Sequence, residues 1–503
     1  QPLVLDDGTY DGHRTVVIDE SSMLTEETLL AVLATFSANV NRLILVGDTA
    51  QLPPIGAGRP FTDLVAHLSG DIVFDDDEDT DDKVAHRQGA HARLTVEVRN
   101  HQGDDSDTLR FAKFFSGDPL PTNAEAVIGD LIAGETLNDL DVQYWETEKD
   151  LHAVLTHVLT ETLGLEPGDT ATFNELLGIS RDGRYWNVTD PDSAERWQIL
   201  SPVRGDLWGV AELNRWVQRT WRGNELEACR TNKRWTNPFG PNEIIRLDKV
   251  LLTRNLRSKK GFNFDTNEKV EEYLANGDIG LCSNDRRARG TPGKGSVMDI
   301  MFAGRPGAQF GFMRGNFGGE TGNGIFELAY ALTIHKAQGS DFDTVIVVLP
   351  RQTRINSREL LYTALTRSRE RLVLLVEGSD LSSVLDLAKV TASDTIQRNS
   401  NLFRTSVRGG DDRPWAQHLI HRASDGTPVR SKSELKIMDD CLAAGLRPRY
   451  EQRLESASGD GSFKLPDFTF VTDAGDAVIW EHLGMLDLTV YANDWERKRQ
   501  WYA

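Results

Sequence analysis

The sequence predicts an α/β fold built on parallel sheets, and three observations predict it. An apolar strand, a helix and a second apolar strand follow one another over 14–46. The same succession returns over 344–376. Between them, 243–326 loses the helical period and reads as short strands, a small β-barrel-like insertion.

Each element has its reason. The runs 14–18 (RTVVI) and 42–46 (RLILV) are continuous and β-branched, the pattern of parallel strands buried on both faces. The segment 25–36 places Leu and Val at helical spacing. In the second unit, 344–349 and 371–376 are strands and 357–366 is the helix between them. The insertion is rich in Gly, Asn and charge, with strand-like pieces at 249–253 and 279–282. The polar stretch 381–430 lacks a period and reads as a linker with some helix. From 431 the grammar changes again: a helix over 434–444, strands at 468–471 and 477–480, then a helix containing Trp495 to Trp501.

Composition narrows the function classes. A chain of 503 residues holds about three domains. Its 56 basic and 77 acidic residues exclude a protein that simply coats DNA with positive charge. A local basic groove on an acidic body remains compatible with nucleic-acid binding. Part of the acid excess sits in the run 75–82 (DDDEDTDD), which reads as a solvated loop. Cys229, Cys282 and Cys441 are far apart and form no CxxC pair, so a reducing, cytoplasmic setting is expected. No apolar run reaches the length of a membrane span, and no secretory signal is visible at the start.

Two strand ends carry chemistry. The first strand runs into Asp19-Glu20-Ser21. At the carboxyl end of a parallel strand these acids face the crevice where open α/β sheets bind ligands. There Asp19 suits Mg²⁺ held through water, and Glu20 suits the orientation of an attacking water. A helix-capping acid pair is the structural alternative. The second strand runs into Gly47-Asp48-Thr49-Ala50-Gln51-Leu52-Pro53-Pro54. The Pro-Pro pair stiffens the loop, and a fixed Gln51 amide can donate to a γ-phosphate oxygen.

From these residues onward the chain resembles the RecD-like group of superfamily 1 helicases. Leu94-Thr95-Val96-Glu97-Val98-Arg99 is similar to their motif IV. The segment from Ile199-Leu200-Ser201-Pro202-Val203-Arg204-Gly205 to Leu213-Asn214 is similar to the one that opens their second domain. Asp248-Lys249-Val250 and Asn276-Gly277-Asp278-Ile279-Gly280 resemble their inserted SH3-like barrel. Thr333-Ile334-His335-Lys336-Ala337-Gln338-Gly339-Ser340 is similar to motif V, and Leu361-Tyr362-Thr363-Ala364-Leu365-Thr366-Arg367 to motif VI. The resemblance covers about 14–380.

The resemblance implies ATP and Mg²⁺ as cofactors and DNA as partner, with 5′→3′ unwinding. It places Asp48, Gln51, Arg99, Gly339 and Arg367 around the nucleotide. Gln51, Arg99 and Arg367 would couple the γ-phosphate to lobe closure. Thr333, His335, Lys336, Gln338 and Ser340 would follow the nucleic-acid backbone, as donors in a turn can do without reading bases. A surface arginine in a salt bridge is the alternative for Arg367, and a polar loop for the motif V residues. The implied architecture is two RecA-like lobes, the first partial over 1–92 and the second over 93–242 and 327–380. The barrel takes 243–326, a linker 381–430, and a last domain 431–503.

That last domain resembles the PD-(D/E)xK nuclease fold in its helicase-fused form. Glu434 starts a helix, Asp467 leads into a strand, Trp480-Glu481-His482 ends the next, and Lys498 lies on the helix beyond. Asp467 and Glu481 would share Mg²⁺, and Lys498 would stabilise charge at the reacting phosphate. The expected lysine two residues after Glu481 is Leu483, so Lys498 would substitute for it from the helix. His482 is equally a core or second-layer histidine. Trp208, Trp216 and Trp221 suit core packing better than base stacking.

One departure is large. No G-x-x-x-x-G-K-[ST] occurs; the nearest string, 290–295 (GTPGKG), has Gly295 after Lys294 and lies in the insertion. In the resembled group that loop precedes the Asp-Glu strand, and 18 residues precede Asp19 here. The expectation is a fragment that hydrolyses ATP poorly by itself and belongs to a motor of DNA repair or anti-phage defence. The competing expectation is an ATPase-inactive nucleic-acid-binding scaffold or a stand-alone nuclease.

Overall fold

A computed structural model describes residues 15–36, 40–69, 90–94, 106–117, 124–133, 137–232, 235–287, 296–318, 324–351, 355–396, 398, 400, 402, 421–429, 431–450, 454–455, 463–464, 466–471, 477–483, 495, 498–500 and 502. Arg99, the acidic run 75–82 and the string 290–295 lie outside them. The chain divides into two compact units. One comprises Gln1–Thr49, Pro53–Arg93 and Ser393–Ala503; the other comprises Ala50–Leu52 and Leu94–Ala392. Among the described residues no helix is long and apolar enough to cross a membrane.

The larger unit is built on a five-stranded sheet. Its order is Ala331–Thr333, Trp197–Ser201, Phe342–Leu349, Ser368–Glu377, Leu140–Trp145, and every neighbouring pair is parallel. The interior strands Trp197–Ser201 and Phe342–Leu349 are almost wholly buried, and helices lie against the sheet beside them. Glu148–Leu163 packs on Leu140–Trp145 and Ser368–Glu377, and Val210–Thr231 packs on Ala331–Thr333. The first of these helices has both ends written in sequence. Thr147 and Asp150 form a reciprocal capping box, and Gly164 closes the helix at φ +67°.

The insertion is a seven-stranded antiparallel sheet. Its order is Phe326–Leu328, Lys249–Leu252, Ile279–Arg287, Ser296–Phe302, Ala308–Met313, Leu256–Asn263, Glu268–Leu274. Its inner residues, among them Val250, Leu281, Ile300 and Phe310, belong to the same hydrophobic cluster as Val345, Ile346 and Leu374 of the parallel sheet.

An ionic knot is buried where these two sheets meet. Asp248 accepts from the Tyr330 hydroxyl at 2.8 Å, the Gln218 amide at 2.7 Å and the Ile245 N–H at 2.8 Å. The Arg222 guanidinium lies 3.5 Å from the same carboxylate, and both side chains are fully buried. Arg222 also donates to the Leu247 carbonyl at 2.7 Å, and its backbone breaks the helical geometry of Val210–Thr231. Burial pushes the Asp248 carboxyl up to about 6, against the opposing pull of Arg222.

Lys249 is buried beside this knot. Its ammonium donates to the Trp197 carbonyl and the Gln198 side chain, both at 2.9 Å, and lies over the Trp197 ring. Burial pulls its pKa down to about 7, and Glu195 opposes that shift. The unfolded lysine binds its proton up to about 10.5, so between about 7 and 10.5 the unfolded state holds more protons. This lysine therefore adds stability as pH rises through that window. Lys249→Met is expected to flatten the rise of urea-unfolding free energy between pH 7 and 10. An unchanged slope would show that Lys249 stays charged when folded.

The smaller unit holds the parallel pair Thr15–Ile18 and Arg42–Leu45, in register from Thr15 with Arg42 to Ile18 with Leu45. Burial on both faces was expected for these strands, and the structure corrects it. Alternate side chains are open, with Val17 60% and Ile44 38% exposed. A strand is buried on both faces only when elements cover both, and the described pair has such cover on one set of side chains alone. The same unit carries helix Lys432–Ala443 and the antiparallel strands Arg449–Tyr450, Phe468–Val471 and Ala477–Trp480. A compact cluster of Val429, Leu435, Met438, Tyr450 and Phe468 holds these together.

Candidate functional site

In the smaller unit Asp19 and Glu20 stand immediately after the first strand. Glu20 takes the left-handed conformation at φ 50°, and its N–H donates to Asp19 Oδ1 at 2.8 Å. Strain of this kind in a non-glycine residue clusters at ligand sites. The Ser21 hydroxyl donates to the Ile18 carbonyl and the Ser21 N–H to the Val46 carbonyl, both at 2.8 Å, which locks the two strand ends side by side. Gly47 makes that closeness possible. A Cβ there would lie 2.9 Å from the Ser22 nitrogen and 3.0 Å from the Phe61 ring. Asp48 follows directly, half-buried. The Pro-Pro loop is fixed in turn: Arg398 donates to the carbonyls of Pro54 at 2.6 Å and Gly56 at 3.0 Å.

In the larger unit, Leu52 ties the Gln51 loop to the Arg358–Leu365 helix and to Gln338. Its N–H donates to Thr363 Oγ1 at 2.9 Å, and its carbonyl accepts from Gln338 Nε2 at 3.5 Å. Thr363 had no expected role; its position on an apolar helix gave no sign of one. Arg367 was expected on that helix. The helix ends at Leu365, and Arg367 lies in the turn beyond it, 1% exposed. Its guanidinium donates to the Thr363 carbonyl at 2.9 Å and to the Ser340 carbonyl at 3.0 Å. It therefore clamps the end of the Arg358–Leu365 helix to the Ser340 turn, which a surface salt bridge would not do.

The segment that resembles motif V is a short 3₁₀ turn, Ile334–Ala337, after the strand Ala331–Thr333. Thr333 caps it by accepting from the Lys336 N–H at 3.3 Å. Gly339 turns the chain at φ +81° so that Ser340 and the next strand can follow. His335 is half-buried in this turn. The Lys336 ammonium meets Glu327 Oε2 at 2.8 Å, and Arg204 meets Glu327 Oε1 at 2.6 Å.

Of the three indoles expected in the core, Trp221 is buried there, and Trp208 and Trp216 are partly buried and pack against it. Trp221 is 1% exposed, and Trp216 meets it edge-on at 5.6 Å. Trp208 packs against Trp145 at 5.9 Å.

The C-terminal acids form a second locus. Asp467 Oδ2 accepts from the His482 N–H at 2.7 Å. Glu481 pairs with Lys498 at 2.7 Å and accepts from the Tyr502 hydroxyl at 2.6 Å. Tyr502 was not anticipated. Burial raises the Asp467 carboxyl above its usual range; the His482 N–H opposes this, Glu481 and Glu434 add to it, and Lys498 lowers it. Each is thus within electrostatic reach of Asp467. Glu434, expected to start the helix, is its third residue and the acid of a capping box. It accepts from the Ser431 N–H at 2.9 Å and from the Tyr450 hydroxyl at 2.8 Å. Among the described residues no three acidic, imidazole or thiolate groups converge as a metal-holding cluster. Asp467 and Glu481 are hard oxygen donors of the kind Mg²⁺ takes, but Glu481 is already neutralised by Lys498.

Comparison with known proteins finds two family matches and several partial relatives. Residues 328–375 match the UvrD-like helicase C-terminal domain family, and residues 5–106 match the AAA domain family. An uncharacterized protein of Methanocaldococcus jannaschii is 27% identical over 96% of this chain and 38% of its own length. The RecBCD enzyme subunit RecD of Mycobacterium tuberculosis is 28% identical over 74% of this chain and 50% of its own. The ATP-dependent RecD2 DNA helicase of Deinococcus radiodurans is 26% identical over 73% and 36%. The chain thus spans half or less of the length of these relatives. Among solved structures, the Pif1 helicase from Candida albicans aligns over 74% of both chains at 13% identity, with a TM-score of 0.31, a likeness too slight to bear on fold or function. The sequence matches support a relationship to the RecD-like superfamily 1 helicases.

Proposed function

We propose that this chain is part of an ATP-dependent DNA translocase or helicase of the RecD-like group, moving 5′→3′ and carrying a C-terminal nuclease domain. The observation that carries the motor reading is the clamp of Arg367 on Ser340 and Thr363, with Leu52 held between Thr363 and Gln338. Three motifs far apart in sequence are joined there by direct hydrogen bonds. A loop bearing Gln51 and a turn bearing His335, Lys336 and Gln338 can then move together. Bound ATP–Mg²⁺ would supply the phosphoanhydride whose hydrolysis drives that motion. Asp19 would hold the metal, Glu20 would orient water, Asp48 and Gly339 would lie at the nucleotide, and Gln51, Arg99 and Arg367 would couple the γ-phosphate to lobe closure. Thr333, His335, Lys336, Gln338 and Ser340 would follow the DNA backbone.

For the nuclease, Asp467 and Glu481 would hold Mg²⁺, which would supply Lewis acidity at the scissile phosphate. Lys498, already on Glu481, stands in place of the absent lysine at Leu483. Glu434 would act from the helix start. The pairing of motor and nuclease suits DNA repair or defence against foreign DNA in the cytoplasm.

The test of the motor is ATP turnover by the full-length protein with and without single-stranded DNA. Glu20→Gln is expected to lower DNA-stimulated turnover by about 10²-fold or more, the usual contribution of a positioned base. Retained turnover would remove Glu20 from that role. No stimulation of the unaltered protein by single-stranded DNA would favour the non-hydrolysing scaffold. Stronger stimulation by RNA would reassign the track.

A further inference from the structure

Glu327 holds two cations that come from different parts of the larger unit. Arg204 follows the strand Trp197–Ser201, and Lys336 lies in the motif V turn. They meet opposite oxygens of one carboxylate, at 2.6 and 2.8 Å. Glu327 projects from a three-residue strand whose flanking residues, Phe326 and Leu328, are buried, so its backbone is fixed. Arg204 is 69% exposed, Lys336 33% and Glu327 24%. The trio thus faces solvent, next to the turn assigned to the nucleic-acid backbone.

A carboxylate bridging an arginine and a lysine has the charge and oxygen spacing of a phosphodiester. We propose that Glu327 is an internal stand-in for a backbone phosphate, and that Arg204 is a phosphate contact beside Lys336. With no strand bound, Glu327 keeps both cations at the distance a phosphate needs. When a strand binds, a phosphate takes one or both of them, and Glu327 turns to solvent. The carboxylate therefore competes with DNA and limits weak, unproductive binding. This rests on the nucleic-acid reading of motif V and adds to it one contact and one competitor.

The experiment is fluorescence anisotropy with a labelled oligo-dT strand across a salt series, without nucleotide, on the full-length protein. Glu327→Gln is expected to tighten binding about two- to fivefold, the scale of a partly exposed ion pair. Arg204→Ala is expected to weaken binding and to flatten the salt slope by about 0.7, one phosphate contact on a single strand. Arg204→Lys should keep the slope. Circular dichroism of each variant checks the fold, and Glu327→Ala should tighten binding as Glu327→Gln does. If the unaltered protein binds but Glu327→Gln fails to tighten binding and Arg204→Ala keeps the slope, the stand-in is refuted while the motor reading survives. If neither the unaltered protein nor any variant binds, both fall.

Discussion

Asp248→Ala is expected to destabilise the larger unit by about 3–5 kcal/mol, the usual result of breaking a buried ion pair from one side. The substitution leaves Arg222 buried without its carboxylate and strips acceptors from Tyr330, Gln218 and the Ile245 N–H. Asp248→Asn keeps an acceptor in place and should cost less. Urea unfolding followed by tryptophan fluorescence reads both, since Trp197 and Trp221 lie beside the knot. A loss below about 1 kcal/mol for alanine would mean the site collapses or hydrates without penalty.

Asp467→Ala should abolish metal-dependent nicking of supercoiled plasmid, a drop of at least about 10²-fold on the scale of losing one transition-state electrostatic contact. Lys498→Ala should match it, because Lys498 pairs with Glu481 and the position two residues after Glu481 is Leu483 rather than a lysine. Tyr502→Phe should have a smaller effect, removing one hydrogen bond to Glu481 and no charge. Plasmid nicked equally by the unaltered protein and Asp467→Ala would dispose of the assignment. So would an unaltered protein inert with both Mg²⁺ and Mn²⁺.

Much of this was written locally in the chain. Runs such as 344–349 and 371–376 are apolar enough to require central strands, and Gly339 announces its turn by type. Residues joined across long separations were not legible. Thr363 looks like any polar residue on a helix until Leu52 is found against it. Glu327 and Arg204 are ordinary surface charges until the strand and loop bring them together. Tyr502 lies beyond the segment whose spacing was informative. The exposed faces of Thr15–Ile18 and Arg42–Leu45 were misread for a related reason. An apolar run states that a strand prefers cover, and its neighbours decide how much it gets.

The shared core of the parallel sheet and the insertion has a consequence for anyone who would trim the molecule. Val250, Leu281 and Phe310 sit in the same apolar mass as Val345 and Leu374, and the Asp248 knot lies at that junction. Excising the insertion and closing the gap with a short linker would expose the back of the sheet that carries the Ile334–Ala337 turn. The shortened protein would aggregate rather than survive as a smaller folded unit. Amide hydrogens on both sides of the junction should exchange together, as one cooperative block.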